Sequence, residues 1–133
     1  MLAASARAGA PLGHDFCAIN LSDNLKPWSV IENRLKLAAQ ADFAMAFYNP
    51  RSKSRPEGFV STLEVLKQAC GDNRPVIFAR NVSRTDEEIR VVPLQDTQAD
   101  MADMRTMVIV GSSQTRIIET GRAPIVYTPR SAP

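Results

Sequence analysis

A chain of 133 residues, 44% of them hydrophobic and 23% charged, has the size and composition of one globular domain with a substantial core. Its 16 basic and 14 acidic side chains leave a formal charge of only +2, which argues against nucleic acid or another polyanion as the partner. Cys17 and Cys70 form no CxxC pair and His14 is the only histidine, so the sequence offers no metal site of standard spacing.

The amino-terminal residues predict the end of a helix. The segment MLAASARA is rich in alanine, Gly9 is suited to a helix C-terminus, and Pro11 follows it. We interpret residues 1–13 as the end of an interdomain helix and its linker, because a helix tail at the start of a chain suggests a truncated longer protein. No apolar run approaches the roughly 20 residues of a membrane span, so we expect a soluble, cytoplasmic protein without a membrane partner.

Five apolar stretches predict strands, and three segments predict helices. The strands are expected at residues 16–22, 43–48, 76–79, 88–94 and 106–111. The helices are expected to begin near Pro27, to run from Pro56 or Glu57 to Gly71, and to occupy residues 96–104. In the first helix, Trp28, Ile31 and Leu35 recur along one face, which must therefore cover a sheet.

Residues 14–120 are predicted to form one domain. The third and fourth strands are separated by too few residues for a parallel crossover, so we expect them to form an antiparallel hairpin. The order of elements predicts an α/β fold with a single mixed, mostly parallel five-stranded sheet flanked by helices. Residues 121–133 carry three prolines and are expected to form an extended tail that packs little.

Ligands of open α/β sheets gather at the carboxyl ends of the strands. Those ends are predicted at residues 22–25, 48–50, 80–83 and 111–113. We expect these four loops to form one candidate site. Asn49 and Asn81 offer amides there that can bind the edge of a heterocycle, although asparagine is also common in turns.

Three further segments can carry chemistry, and each has a simpler alternative. Residues 111–116, GSSQTR, can present backbone N–H groups and hydroxyls to an anionic ligand, or can only make a tight turn. The cations of residues 51–55 can receive carboxylates or phosphates, or can only face water. His14 and Asp15 can act as an acid/base pair, or can have a structural role at the start of a strand.

Four longer segments carry a resemblance that composition does not show. GAPLGHDFCAINLSDNLKPW, AFYNPRSKSRP, VIVGSSQTR and VYTPR closely resemble the precorrin-3B C17-methyltransferases of the tetrapyrrole methylase family, and the resemblance spans nearly the whole chain. It implies the C-terminal domain of a two-domain α/β fold, with S-adenosylmethionine bound in the cleft between the domains. The glycine-rich loop of the first domain is not in this sequence, so a missing N-terminal methylase domain is the expected partner.

The resemblance also implies roles for individual residues. The expected cofactor contacts, made largely by the backbone, are Tyr48, Asn49, Arg80, Asn81, Val82, Gly111 and Ser112. The cations Arg51, Lys53 and Arg55 suit the acetate and propionate arms of a tetrapyrrole substrate. His14 and Asp15 are the first candidates for proton transfer.

The reaction that the resemblance implies is methylation of precorrin-3B at carbon 17 in cobalamin biosynthesis, coupled to ring contraction to give precorrin-4. An isolated half of such an enzyme is expected to have little or no activity, and a homodimer is expected. Two alternatives are a non-catalytic dimerisation or assembly domain of the same fold, and another tetrapyrrole or RNA methylase relative. The near-neutral charge disfavours the RNA enzyme.

Overall fold

The computed structural model describes residues 2–23, 26–50, 57–71, 73–122 and 124–130. Its helices are α1 (Leu2–Ala8), α2 (Trp28–Gln40) and α3 (Glu57–Cys70). Its strands are β1 (Gly9–Ala10), β2 (Phe16–Asn20), β3 (Ala44–Tyr48), β4 (Pro75–Arg80), β5 (Glu88–Pro93), β6 (Thr106–Val110), β7 (Arg116–Ile118) and β8 (Ile125–Tyr127). The five strands predicted from the sequence are all present, together with both long helices. None of the helices in these ranges is both long and apolar enough to cross a membrane.

The larger sheet has five strands in the order β2-β3-β6-β4-β5. The expected five-stranded mixed sheet flanked by helices is confirmed, as is the antiparallel β4-β5 hairpin. The expectation that most pairs are parallel is corrected by the strand pairing. Among the neighbouring strands of this sheet, β2 and β3 form the one parallel pair in the described residues, because β6 enters in the opposite direction between β3 and β4.

Alternation along the central strands gives the sheet two apolar faces. In β3, Met45 and Phe47 belong to the core under α2 and α3, whereas Ala44 and Ala46 belong to a second core on the other face. This is the two-residue period of a strand buried on both sides. The ring of Phe59 on α3 packs edge-on against Phe78 of β4, with centroids 6.3 Å apart.

The second face of the sheet is covered by α1 and by a small second sheet of order β1-β8-β7, so the prediction of a single sheet is wrong. Small side chains dominate this contact, with Ala4 and Ala8 of α1 buried in the same cluster as Ala44 and Ala46. Small residues on both surfaces allow a helix to lie close to a sheet. Helix α1 ends at Ala8, directly before Gly9, which was predicted to terminate it; φ of Gly9 is +129° and a Cβ there would lie 2.5 Å from the carbonyl oxygen of Val126.

The helix predicted at residues 96–104 is instead two separate 3₁₀ turns, Leu94–Asp96 and Ala99–Met101. The backbone of Thr97 is extended (φ −73°, ψ 143°), and its hydroxyl donates to the carbonyl of Leu94 at 2.6 Å. This side chain satisfies a carbonyl that a continued helix would have used, so the first turn stops there.

The described residues 124–128 are packed, contrary to the expectation of a loose tail. Val126 in β8 is fully buried between β1 and β7. The Thr128 hydroxyl is also buried, donates to the carbonyl of Pro11 at 2.5 Å, and lies 2.7 Å from the Thr115 hydroxyl oxygen. The described part of this segment is extended but belongs to the core.

Replacing Val126 by alanine should therefore lower the free energy of unfolding by about 2 kcal/mol, because two fully buried methyl groups are lost and a cavity remains. The matched control is Ile125→Ala in the same strand, where the side chain is 42% exposed and the loss should be well under half as large. Urea unfolding of both variants measures the difference. A loss at Val126 no larger than the loss at Ile125 would contradict the burial of Val126 in the core.

Candidate functional site

Three strand ends meet at one edge of the larger sheet. Because β2, β3 and β4 run in the same direction, Asn20, Tyr48 and Arg80 all lie at this edge, which we name the carboxyl edge. Strand β6 runs the other way, so its first residue, Thr106, pairs with Arg80 and lies at the same edge. The loops beyond these four strand ends therefore face a common space.

That space is a groove of about 520 Å³ at the carboxyl edge. It is lined by Ala3, Ala4, Asn20, Tyr48, Asn49, Ala79, Val82, Met104, Arg105, Thr106 and Met107. Its volume falls within the range of about 300–1,000 Å³ that is typical of small-molecule sites. A smaller pocket of about 110 Å³ adjoins it, shares Asn49, and extends toward Trp28 and the start of α3.

The loop after β3 is held by an amide contact with β2. Asn49 has a left-handed backbone (φ +52°), and its Nδ2 donates to Oδ1 of Asn20 at 3.0 Å. The same Oδ1 accepts the backbone N–H of Ser22 at 3.0 Å. The Tyr48 carbonyl accepts the N–H of Leu21 at 2.9 Å, so the chain beyond β2 and the chain beyond β3 stay side by side at the groove.

The loop after β4 is held just as firmly. Asn81 is buried with φ +51°, its Nδ2 donates to Asp86 at 2.9 Å, and its backbone N–H donates to the carbonyl of Arg105 at 3.2 Å. Ser83 also has positive φ (+69°), and its N–H donates to Glu87 at 2.9 Å. Left-handed backbone at non-glycine residues costs energy and concentrates at functional sites. Asn49, Asn81 and Ser83 share this feature at the carboxyl edge.

An ion pair joins β4 to the chain that enters β6. Arg80 Nε donates to Oδ2 of Asp103 at 2.6 Å, and Asp103 also accepts the Arg105 N–H and the Thr106 hydroxyl, both at 2.8 Å. Partial burial of Asp103 opposes its ionisation, but the hydrogen bonds from Arg80, Arg105 and Thr106 outweigh that effect and hold its pKa below the usual range. The ionised carboxylate thus fixes the backbone that forms one wall of the groove.

Helix α1 is tied to the loop after β4. Arg7 Nε donates to Oε1 of Glu87 at 3.1 Å, and the same oxygen accepts the Ser83 N–H. The hydrogen bond from Ser83, and then the contact with Arg7, hold the pKa of Glu87 below its usual range. The groove is thus bounded by an anchored helix and two anchored loops.

Gly111 and Ser112 do not join this site. The antiparallel direction of β6 places Val110 beside Met45 and Val76, and the Gly111 N–H donates to the carbonyl of Pro75 at 2.9 Å. These contacts are at the amino ends of β3 and β4, and a five-residue strand spans roughly 13 Å. The prediction that all four loops form one site is therefore wrong for residues 111–113.

A polar clamp fixes the 111–113 turn. Asp42, at φ +63°, accepts the backbone N–H of Ser113 at 2.8 Å and its hydroxyl at 2.5 Å. Arg74 Nη2 lies 3.2 Å from the same carboxylate, and the Arg74 side chain is only 11% exposed. Partial burial opposes ionisation of Asp42, but the Ser113 hydrogen bonds and the Arg74 charge outweigh it, so the pKa of Asp42 is lowered. This arrangement explains GSSQTR as a structural turn.

His14 and Asp15 also lie outside the groove. His14 and Asp15 are exposed and precede β2, so they lie at the amino end of that strand, across the sheet from the groove. The structure does not bring them together with Tyr48 or Val82. Arg51, Lys53 and Arg55 lie outside the described residues.

Several groove residues were not predicted from the sequence. They are Ala3, Ala4, Asn20, Ala79, Met104, Arg105, Thr106 and Met107. The signal for the last four is the connection from β5 to β6, which has about a dozen residues and is long enough for a parallel crossover. If β6 is parallel to β5, it must be antiparallel to β4, which places Thr106 at the carboxyl edge.

In the described ranges, no group of three or more His, Cys, Asp or Glu side chains is placed to hold a metal ion. The groove is lined instead by small, apolar and amide side chains with one guanidinium. Such a lining is suited to an organic ligand with both apolar and hydrogen-bonding parts.

The sequence matches a family model described as tetrapyrrole (corrin/porphyrin) methylases over residues 1–98. The chain belongs to this family. It is 56% identical over 131 residues to a precorrin-3B C(17)-methyltransferase of Sinorhizobium sp, covering 98% of this chain and 52% of that protein. The chain thus spans about half the length of this curated relative.

Solved structures agree with this family membership. The crystal structure of the methyltransferase CobJ matches with a TM-score of 0.92 and 59% identity, over 97% of this chain and 52% of that one. A uroporphyrin-III C-methyl transferase from Thermus thermophilus, solved with S-adenyl homocysteine, matches with a TM-score of 0.55 over 81% of this chain and 48% of that one. At 16% identity, the second likeness shows the fold alone.

The polar clamp predicts a pH-dependent contribution to stability. In Asp42→Asn the side-chain size is unchanged, and asparagine tolerates the positive φ of this position. The substitution removes the negative charge beside Arg74. At pH 7 we expect the free energy of unfolding to fall by about 1 kcal/mol, discounted because Asp42 is 41% exposed.

Since the folded pKa of Asp42 is lowered, its contribution is present above the unfolded value of about 4 and is lost as pH falls through the folded pKa. Urea unfolding at pH 7 and pH 3 should show the difference between wild type and Asp42→Asn shrinking in acid. Glu119→Gln, at an exposed carboxylate, is the control and should show no such trend. A difference that stayed constant down to pH 3 would contradict this explanation of the clamp.

Proposed function

We propose that this chain supplies one wall of an S-adenosylmethionine site in an enzyme that methylates precorrin-3B at carbon 17, with ring contraction to precorrin-4. The observation that supports it best is the groove at the carboxyl edge, in a chain 56% identical to a precorrin-3B C(17)-methyltransferase. The chain is a member of the tetrapyrrole methylases, which supports S-adenosylmethionine as the cofactor. It also shares its fold with a methyltransferase that was solved with S-adenyl homocysteine.

The groove residues fit the adenosine part of that cofactor. Ala79, Val82 and Met107 offer apolar contact, whereas Asn20 and Asn49 offer amides, so a flat nucleoside with a polar edge finds both kinds of partner. No carboxylate is among the groove's lining residues in the described part of the chain. When bound, the cofactor would supply a methyl group carried on a sulfonium.

The chain's own residues have a positioning role in this proposal. Tyr48, Asn49 and the segment from Arg80 to Val82 belong to the two anchored loops at the carboxyl edge, which suits backbone contacts to a nucleoside. Holding two reactants in line supplies much of the rate of a methyl transfer, so rigidity of these loops matters more than acid or base groups. We assign no cofactor contact to Gly111 and Ser112.

A second domain would complete the site. The chain covers about half of its curated relative, and we propose that the remaining length covers the groove and contributes the other cofactor contacts. The chain alone should therefore bind the cofactor weakly and transfer methyl groups slowly or not at all. Arg51, Lys53 and Arg55 remain proposed partners for the substrate's carboxylate arms, and a homodimer remains the proposed assembly.

Filling the groove should block binding of S-adenosylhomocysteine. Ala3 lines the groove from α1, so Ala3→Trp should weaken binding roughly tenfold or more, measured by NMR titration of the 133-residue chain. Ala6→Trp is the matched control, because Ala6 is exposed on the same helix and is not among the residues that line the groove. Equal affinity of both variants would place the cofactor elsewhere.

A further inference from the structure

Asn20 and Asn49 form an amide pair whose orientation the hydrogen bonds determine. A backbone N–H can only donate, so the Asn20 side-chain atom that faces the Ser22 N–H must be the oxygen Oδ1. The Asn49 atom that contacts this oxygen at 3.0 Å must then be the donor Nδ2. Both amides are therefore fixed by one backbone contact.

This orientation leaves one donor and one acceptor at the groove. Asn20 retains its Nδ2 hydrogens and Asn49 retains its Oδ1, and neither atom has a protein partner among the described residues. Both residues line the groove and both are exposed. A ligand lying there meets a hydrogen-bond donor and a hydrogen-bond acceptor from neighbouring strand ends.

The surroundings favour a flat ligand edge. Tyr48, 37% exposed, precedes Asn49 and lines the same groove, and Met104, 65% exposed, lines it from the segment before β6. A planar heterocycle can lie against such apolar surfaces while its edge faces the amides. The edge must offer an acceptor to Asn20 and a donor to Asn49.

We infer that Asn20 and Asn49 read the amino edge of adenine and so determine the base specificity of the groove. Adenine presents an amino group that donates beside a ring nitrogen that accepts, which is the complement of this pair, and asparagine commonly recognises adenine through such contacts. Hypoxanthine presents a carbonyl oxygen in place of the amino group, so Asn49 Oδ1 faces an acceptor instead of a donor on either edge of the base. On the edge that carries N1, the ring nitrogen is also protonated and donates, so both groups are reversed there. This inference rests on the proposed function and adds side-chain recognition to the backbone contacts.

The test compares S-adenosylhomocysteine with S-inosylhomocysteine by NMR titration of the 133-residue chain. Wild type should prefer the adenine compound by roughly tenfold or more, since at least one hydrogen bond to the base is replaced by a repulsive contact. Asn49→Gly removes the amide while suiting the left-handed backbone, and Asn20→Ala removes the other partner. Each variant should reduce the preference at least threefold.

Asn73→Gly is the matched control, because Asn73 is an exposed turn asparagine just before β4, at the opposite edge of the sheet. This variant should prefer the adenine compound as strongly as wild type does. Unfolding curves of each variant confirm that the fold is retained. If S-adenosylhomocysteine binds but the preference is absent or unchanged in both groove variants, the inference on Asn20 and Asn49 is wrong and the proposed function stands. If wild type binds neither compound, the proposed function fails and the inference fails with it.

Discussion

The reversed direction of β6 between β3 and β4 is the constraint on which the rest of the structure depends. It places Thr106 rather than Gly111 beside Arg80, so the groove is built from three carboxyl ends and one amino end. The residues buried on both faces of β6, Val108, Ile109 and Val110, make this central position stable, because only an interior strand has two faces to cover. The location of the candidate site follows from that single pairing.

Side-chain hydrogen bonds convert this topology into a rigid groove. The Arg80–Asp103 and Arg7–Glu87 pairs join segments that are separate in sequence, and the buried Asn81 amide holds its own loop through Asp86. Each of these side chains also forms a hydrogen bond with the loop backbone or lies next to it. Together they hold main-chain groups in place. This is the kind of site expected where positioning, and not acid or base chemistry, is the main requirement.

Much of the fold could be predicted from local sequence, whereas the site could be predicted only in part. The apolar runs predicted the strands of the larger sheet, and Gly71 predicted the end of α3, because local periodicity and turn chemistry determine such elements. The direction of β6 is a non-local property, so Gly111 and Ser112 were assigned to the wrong edge and Met104–Met107 were missed. The buried Val126 was missed for the same reason, since a short apolar segment between prolines does not reveal the sheet that it joins.

In the proposed function, the nucleoside of the methyl donor lies at the carboxyl edge, between the Tyr48–Asn49 loop and the start of β6. Family membership and the likeness to the CobJ methyltransferase support a methyl donor as the ligand. The most direct measurement is residue-by-residue mapping of backbone amide shifts as S-adenosylhomocysteine is added to the isotope-labelled chain. We expect the largest amide shifts at Asn49, Val82 and residues 104–107, and we expect the amide signals of residues 111–113 to stay unchanged. Large shifts at residues 111–113 and none around Asn49 and Val82 would contradict this expectation.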